Sequence, residues 1–208
     1  MIDIIIKGLI IGLSISVPLG PIGMLCIQRT LSKGKKYGIF TGFGATTSDL
    51  VYTIITLFFL SFIIQTIEQY KFVIQLFGSL IIFVFGLYIF KSNPATQPQP
   101  DIPTKESIFG DFITSFFLTL SNPLIVFILI ALFARFEFIT IESTFFYSAI
   151  GILSILGGAT LWWTVLTLFV SKFKNKLNMR GLKIINHITG TIIMLTGCVG
   201  FILSLLKY

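Results

Sequence analysis

Asp49 is the one acid placed in the middle of a long apolar stretch, and that placement gives it chemistry. A carboxylate at the centre of a bilayer costs about 2.5 to 3.5 kcal/mol on insertion scales, so it faces a polar interior, takes up a proton or binds a cation. No Lys or Arg is spaced to pair with it. Helical spacing sets Gly42, Ala45, Thr46, Asp49, Thr53 and Thr56 on one small and polar face, with an apolar remainder. The corresponding face further along carries Gly157, Thr160, Thr164 and Thr167. Such an acid is a candidate proton or cation carrier; a buried structural hydrogen bond to a Thr or a carbonyl is the plainer alternative.

Two interruptions of the apolar pattern add a second kind of chemistry. Pro18 and Pro21 flank Gly20 within one run, and Asn122-Pro123 interrupts another. Each Pro lacks an N–H and crowds the preceding turn, which frees carbonyls and exposes helix ends that can bind ions or zwitterions. Helices broken at matching places in two halves point to a midplane site, whereas a single kink serves packing alone.

Long helices must position these groups. The 208 residues are 55% hydrophobic and 11% charged, with 23 Phe, and the mean hydropathy is +0.97. Lipid is the solvent that such a chain predicts, and in lipid only helices or closed barrels satisfy the backbone. Apolar runs from Ile4 to Ile27, Ile39 to Ile64, Phe72 to Phe90, Phe112 to Ala134, Phe145 to Val170 and Ile184 to Leu206 are each long enough to cross a core of about 30 Å. Asp49 lies about 12 residues, about 18 Å along a helix, from the amino-terminal end of the second span.

The expected architecture is therefore an all-α membrane protein of six transmembrane helices, the first and fourth interrupted at Pro. Residues 52–58, Tyr-Thr-Ile-Ile-Thr-Leu-Phe, match 163–169, Trp-Thr-Val-Leu-Thr-Leu-Phe, at a constant offset of 111. Gly20-Pro21 likewise has a counterpart in Asn122-Pro123. Three helices per copy insert the second copy from the opposite side, which predicts an inverted repeat. The expected division is a first three-helix repeat over 1–91, a Pro-rich linker over 92–110 and a second repeat over 111–208, all within one membrane domain. By the offset, Thr160 takes the place of Asp49, so one half offers an acid and the other a hydroxyl.

Eleven of the fifteen Lys and Arg residues lie after the first, third and fifth runs, among them Arg29, Lys33, Lys35, Lys36, Lys91, Lys172 and Lys183. The positive-inside rule then places loops one, three and five in the cytoplasm and both termini outside, in a bacterial-type inner membrane. The amino-terminal run, with Asp3 before it and no small-residue cleavage site after it, reads as a retained helix. The net charge of +7 forms no continuous basic face, so no nucleic acid partner is expected. The basic cluster from Arg29 to Lys36 reads as a topology signal attracted to anionic lipid.

Several chemistries find no support. Cys26 and Cys198 lack CxxC spacing, and His187 is the sole histidine, placed near an interface, so no metal site is expected. An intramembrane protease would need a second central acid or HExxH, and neither occurs, so no enzyme is expected. Trp162 and Trp163 read equally well as lining a path or as packing bulk.

The ordered set Pro18-Leu19-Gly20-Pro21, Arg29, Gly34, Gly38, Gly42, Gly44, Asp49 and Asn122-Pro123 resembles the lysine exporter type (LysE/RhtB) translocators over nearly the whole chain. The resemblance implies export of amino acids or related small metabolites, driven by the proton gradient. Ser48 departs from the pattern, since Gly often precedes the acid in that family. The resulting expectation is a secondary exporter with alternating access and proton antiport, without cofactor, and with Na⁺ left open as the coupling ion. Asp49 is the coupling group. Pro18, Gly20, Pro21, Gly42, Thr46, Thr53, Asn122, Pro123, Gly157, Thr160 and Thr164 are the substrate-pathway candidates. The expected partners are an amino acid, the lipid bilayer and, compatibly, a second copy of the chain. The alternatives are export of another small solute or cation, or a membrane assembly protein that transports nothing.

Overall fold

Apolar runs without β-strand alternation fold as helices throughout. The computed structural model describes residues 1–18, 20–92, 107–122, 124–138, 145–173 and 179–207, and for 59–69, 71, 179–182, 185 and 207 the backbone alone. Leu19, Pro123 and most of the expected 92–110 linker lie outside the described residues. The helices are α1 (Ile2–Ser16), α2 (Pro21–Ser32), α3 (Lys35–Gln69), α4 (Lys71–Lys91), α5 (Ile108–Leu120), α6 (Leu124–Phe136), α7 (Phe145–Lys172) and α8 (Met179–Lys207). No strand occurs among the described residues.

The six apolar runs all fall on these helices. The first occupies α1 and α2, which meet at 80°, and the fourth occupies α5 and α6, which meet at 70°. By length and composition, counted over the described residues, α4, α7 and α8 each contain a stretch able to cross a membrane, and the two bent pairs raise the number to as many as five. The 35-residue α3 contains the whole Ile39 to Ile64 run. Outward-facing rows such as Ile184, Ile188, Ile192, Leu195, Val199 and Ile202 on α8 are exposed, which is the pattern of a lipid-facing surface.

Local signals set the helix ends. Gly34, at φ +105°, follows α2 and donates its N–H to the carbonyls of Arg29 and Thr30, so the chain turns directly into α3. Glu137, at φ 47°, plays the same part after α6, and its carboxylate accepts from Gln75 Nε2 at 3.1 Å. Ser107 caps α5 by accepting from the Gly110 N–H at 3.1 Å.

The principal packing joins helices from opposite halves. α1 lies along α7, α5 along α3, and α4 along α8. Glycines make the approach close: a Cβ on Gly12 would overlap the Ile155 carbonyl, and one on Gly190 would come within 2.5 Å of the Phe90 N. Because the obstacle at Gly12 is α7 backbone, Gly12→Ala is expected to force α1 and α7 apart at a cost of about 1 to 3 kcal/mol. A thermal melt in detergent reads this as a lower midpoint, and an unchanged midpoint would contradict the packing.

The remaining contacts are unequal between halves. α2 packs on α3 of its own half, whereas α6 packs on α4 of the other half. One apolar cluster, including Ile4, Ile11, Leu129, Leu132, Phe133, Phe138 and Ile155, fills the end where α6 finishes and α7 begins. A second, including Met24, Cys26, Ala45, Trp163 and Leu166, joins α2, α3 and α7. A cavity remains beside them, reaching the end where α4 finishes and α8 begins.

Candidate functional site

The two chain breaks meet at this cavity. α1 ends at Ser16, and α2 starts from Gly20, which has no side chain to cap it, with Pro21 in the first turn. The first N–H groups of α2 therefore belong to Ile22 and Gly23, and both residues line the cavity. At the second break Asn122 Oδ1 accepts from the Leu124 N–H at 3.3 Å, so the α6 start carries its own cap. The cavity has a volume of about 320 Å³, at the small end of ligand pockets.

Asp49, 4% exposed, is presented to the cavity from α3, with Ala45 one turn before it. Ser16, at the end of α1, is buried on the same wall. Thr119 and Trp163, each 5% exposed, also line the cavity, and neither Thr119 Oγ1 nor Trp163 Nε1 has a hydrogen-bond partner among the described residues. Both atoms are themselves buried, as is Ser16 Oγ of the same wall, which likewise has no partner among the described residues. One turn beyond Asp49, the Tyr52 hydroxyl donates to the Leu120 carbonyl, an acceptor that the break after α5 leaves without a helical donor.

The expected site residues divide in two. Pro18, Gly20, Pro21, Asp49 and Asn122 come together around the cavity, and Trp163 joins them. Gly42, Thr46, Thr53, Gly157, Thr160 and Thr164 are not in its wall. Gly42 leaves the room that the Trp163 side chain occupies, and Thr46 and Thr53 are buried in helix packing. Gly157 is exposed beside Leu9, and Thr160 and Thr164 are half-buried on α7. Pro123 lies outside the described residues. Ser48 is fully buried away from the wall. His187 is exposed and its Nδ1 lies 2.8 Å from the Lys183 carbonyl, while its neighbour Asn186 is buried and lines the cavity.

A buried charge cluster was missed in the sequence. Arg29, 1% exposed, places Nε 3.0 Å from Asp111 Oδ1, which is 0% exposed, and donates from Nη1 to the Asp111 carbonyl at 2.9 Å. Lys33 Nζ reaches the same carboxylate oxygen at 3.1 Å, and Thr41 accepts from Arg29 Nη1 at 3.3 Å. Arg29 is thus a tie between α2, α3 and α5, beyond any part it has in topology. The available signal was the four-residue spacing of Arg29 and Lys33, which sets both cations on one face of α2, together with an acid in the first turn of α5.

No three His, Cys, Asp or Glu side chains are grouped as metal ligands among the described residues. The remaining chemistry around the small space is that of one carboxylate and one helix start without a side-chain cap. That set can hold a small molecule bearing opposite charges.

The chain is 24% identical over 200 residues to YcgF of Bacillus subtilis (strain 168), whose name proposes amino acid efflux, and the match covers 94% of this chain and 93% of that protein. No solved structure matches the chain. The family model for LysE type translocators matches residues 13–204, spanning both breaks, Asp49 and the cavity they enclose. The chain belongs to the LysE type translocator family.

Proposed function

We propose that this translocator exports amino acids from the cytoplasm by proton antiport with alternating access, and that Asp49 is the coupling group. The carrying observation is the buried Asp49 carboxylate on a cavity flanked by two broken helices. A membrane-embedded acid that serves only packing has no need of an adjoining cavity. The carboxylate holds either a proton or the ammonium of a substrate. Because the two exclude each other, substrate leaves when a proton arrives, and each site opening exchanges one for the other.

In this reading the chain crosses a bacterial-type inner membrane six times as two inverted repeats, 1–91 and 111–208, joined by the 92–110 linker. The pairing of α1 with α7 and of α3 with α5 is what two such repeats would produce, since each pair maps on the other. The end carrying Arg29, Lys33, Lys91, Lys172 and Lys183 faces the cytoplasm by the positive-inside rule. The cavity reaches Ser92 and Asn186 at that end, as an inward-facing state requires. The unequal packing of α2 and α6 supports the same state, with the second break closed on α4 and the first held away from α8. Thr160 and Thr164 of the second half would approach the site in the opposite state.

The test is purified protein in proteoliposomes loaded with radiolabelled amino acids. Efflux is expected to accelerate when the outside is made acidic relative to the lumen, and an equal Na⁺ gradient should leave it unchanged. Efflux indifferent to the pH gradient would overturn the antiport reading.

A further inference from the structure

We propose that the cavity selects an α-amino acid with an uncharged, apolar side chain, its ammonium at Asp49 and its carboxylate at the start of α2. The inference rests on the amino acid exporter reading and adds which amino acids the site takes.

Among the described residues of the wall, Asp49 is the single formally charged group. One carboxylate answers one ammonium. The partner for the substrate carboxylate is the uncapped α2 start, where Ile22 and Gly23 line the cavity at the positive end of a 12-residue helix. The equivalent place on α6 is taken by Asn122, so the carboxylate has one preferred end. Asp49, 4% exposed on the same wall, fixes the other end of the headgroup.

The rest of the wall says what the side chain must be. Phe85, Ile89, Leu118, Ile125 and Ile128 make much of it apolar, and Tyr88, Ser92 and Asn186 are polar members without formal charge. A dibasic amino acid such as lysine would bring a second ammonium among them with no second carboxylate to meet it, and an uncompensated charge in such surroundings is strongly disfavoured. A leucine or isoleucine side chain gains from the same surface. The cavity of about 320 Å³ admits one such molecule and no extended peptide.

Binding is read by Trp fluorescence of the purified protein in detergent, with counterflow in proteoliposomes measured in parallel. Leucine is expected to bind at least about tenfold more tightly than lysine, and leucinamide and isocaproate, which each lack one charge of the headgroup, should each lose at least about tenfold. Lysine binding as tightly as leucine would overturn the proposed selectivity while lysine counterflow kept the exporter reading intact. Leucinamide binding as tightly as leucine would overturn the carboxylate assignment. If no amino acid of either kind binds or exchanges, the exporter reading falls and this inference with it.

Discussion

Asp49→Asn is expected to hold its fold and lose coupling: efflux driven by a pH gradient should fall to the leak of protein-free vesicles. Asn is nearly isosteric with Asp, so packing around α3 has little reason to change. It cannot carry a proton or a full negative charge. Replacing a charge-assisted contact to the substrate ammonium by a neutral one costs about 1.5 to 3 kcal/mol, or about 10- to 150-fold in affinity. The pH dependence distinguishes this loss from misfolding. In the native protein, protons compete with substrate for one carboxylate, so apparent affinity falls as pH is lowered, by up to about tenfold per unit once the proton is the commoner occupant. In Asp49→Asn the residual affinity should be flat with pH. A variant that still coupled efflux to the gradient would remove Asp49 from the mechanism.

Asp111→Ala should be the most destabilising single change in the described charged residues. It leaves the Arg29 guanidinium and the Lys33 ammonium together at a buried site without the carboxylate that both contact. Removing one partner of a buried pair typically costs about 3 to 5 kcal/mol, because the charge left behind remains desolvated. Lys7→Ala provides the contrast. Its pair with Asp3, at 2.7 Å, has side chains 26% and 63% exposed, and its removal should cost no more than about 1 kcal/mol. Denaturant melts of both variants in one detergent compare the two directly. Equal midpoints would mean that the Arg29 cluster is better solvated than its burial indicates. The double variant Arg29→Leu with Asp111→Leu should recover part of the loss, since it removes the pair rather than half of it.

How much of this was legible beforehand depended on the range of the interaction. Helices, their breaks and the isolation of Asp49 follow from composition and local backbone chemistry, so six apolar runs were enough to place the eight helices among the described residues. Gly20 and Asn122 could be matched as counterparts, but their unlike capping emerges only when the Asn122 carboxamide is seen turned back on the Leu124 N–H. Helical periodicity grouped Thr46 and Thr53 with Asp49 because it reports which way a side chain leaves its own helix. It carries no information about whether a neighbour fills the space there, as Trp163 does against Gly42. The Arg29 and Asp111 pair spans 82 residues and two helices, beyond anything local spacing can report.

The close seating of α1 on α7 has a consequence for how the chain is made. Gly8 rests against Ser154 and Gly12 against Ile155, so α1 finds its berth only after some 140 further residues have been synthesised. At ordinary synthesis rates this is a wait of roughly 7 to 30 seconds. During that interval α1 stands in lipid with a groove of bare backbone along one side, and the groove is filled only once α7 has inserted.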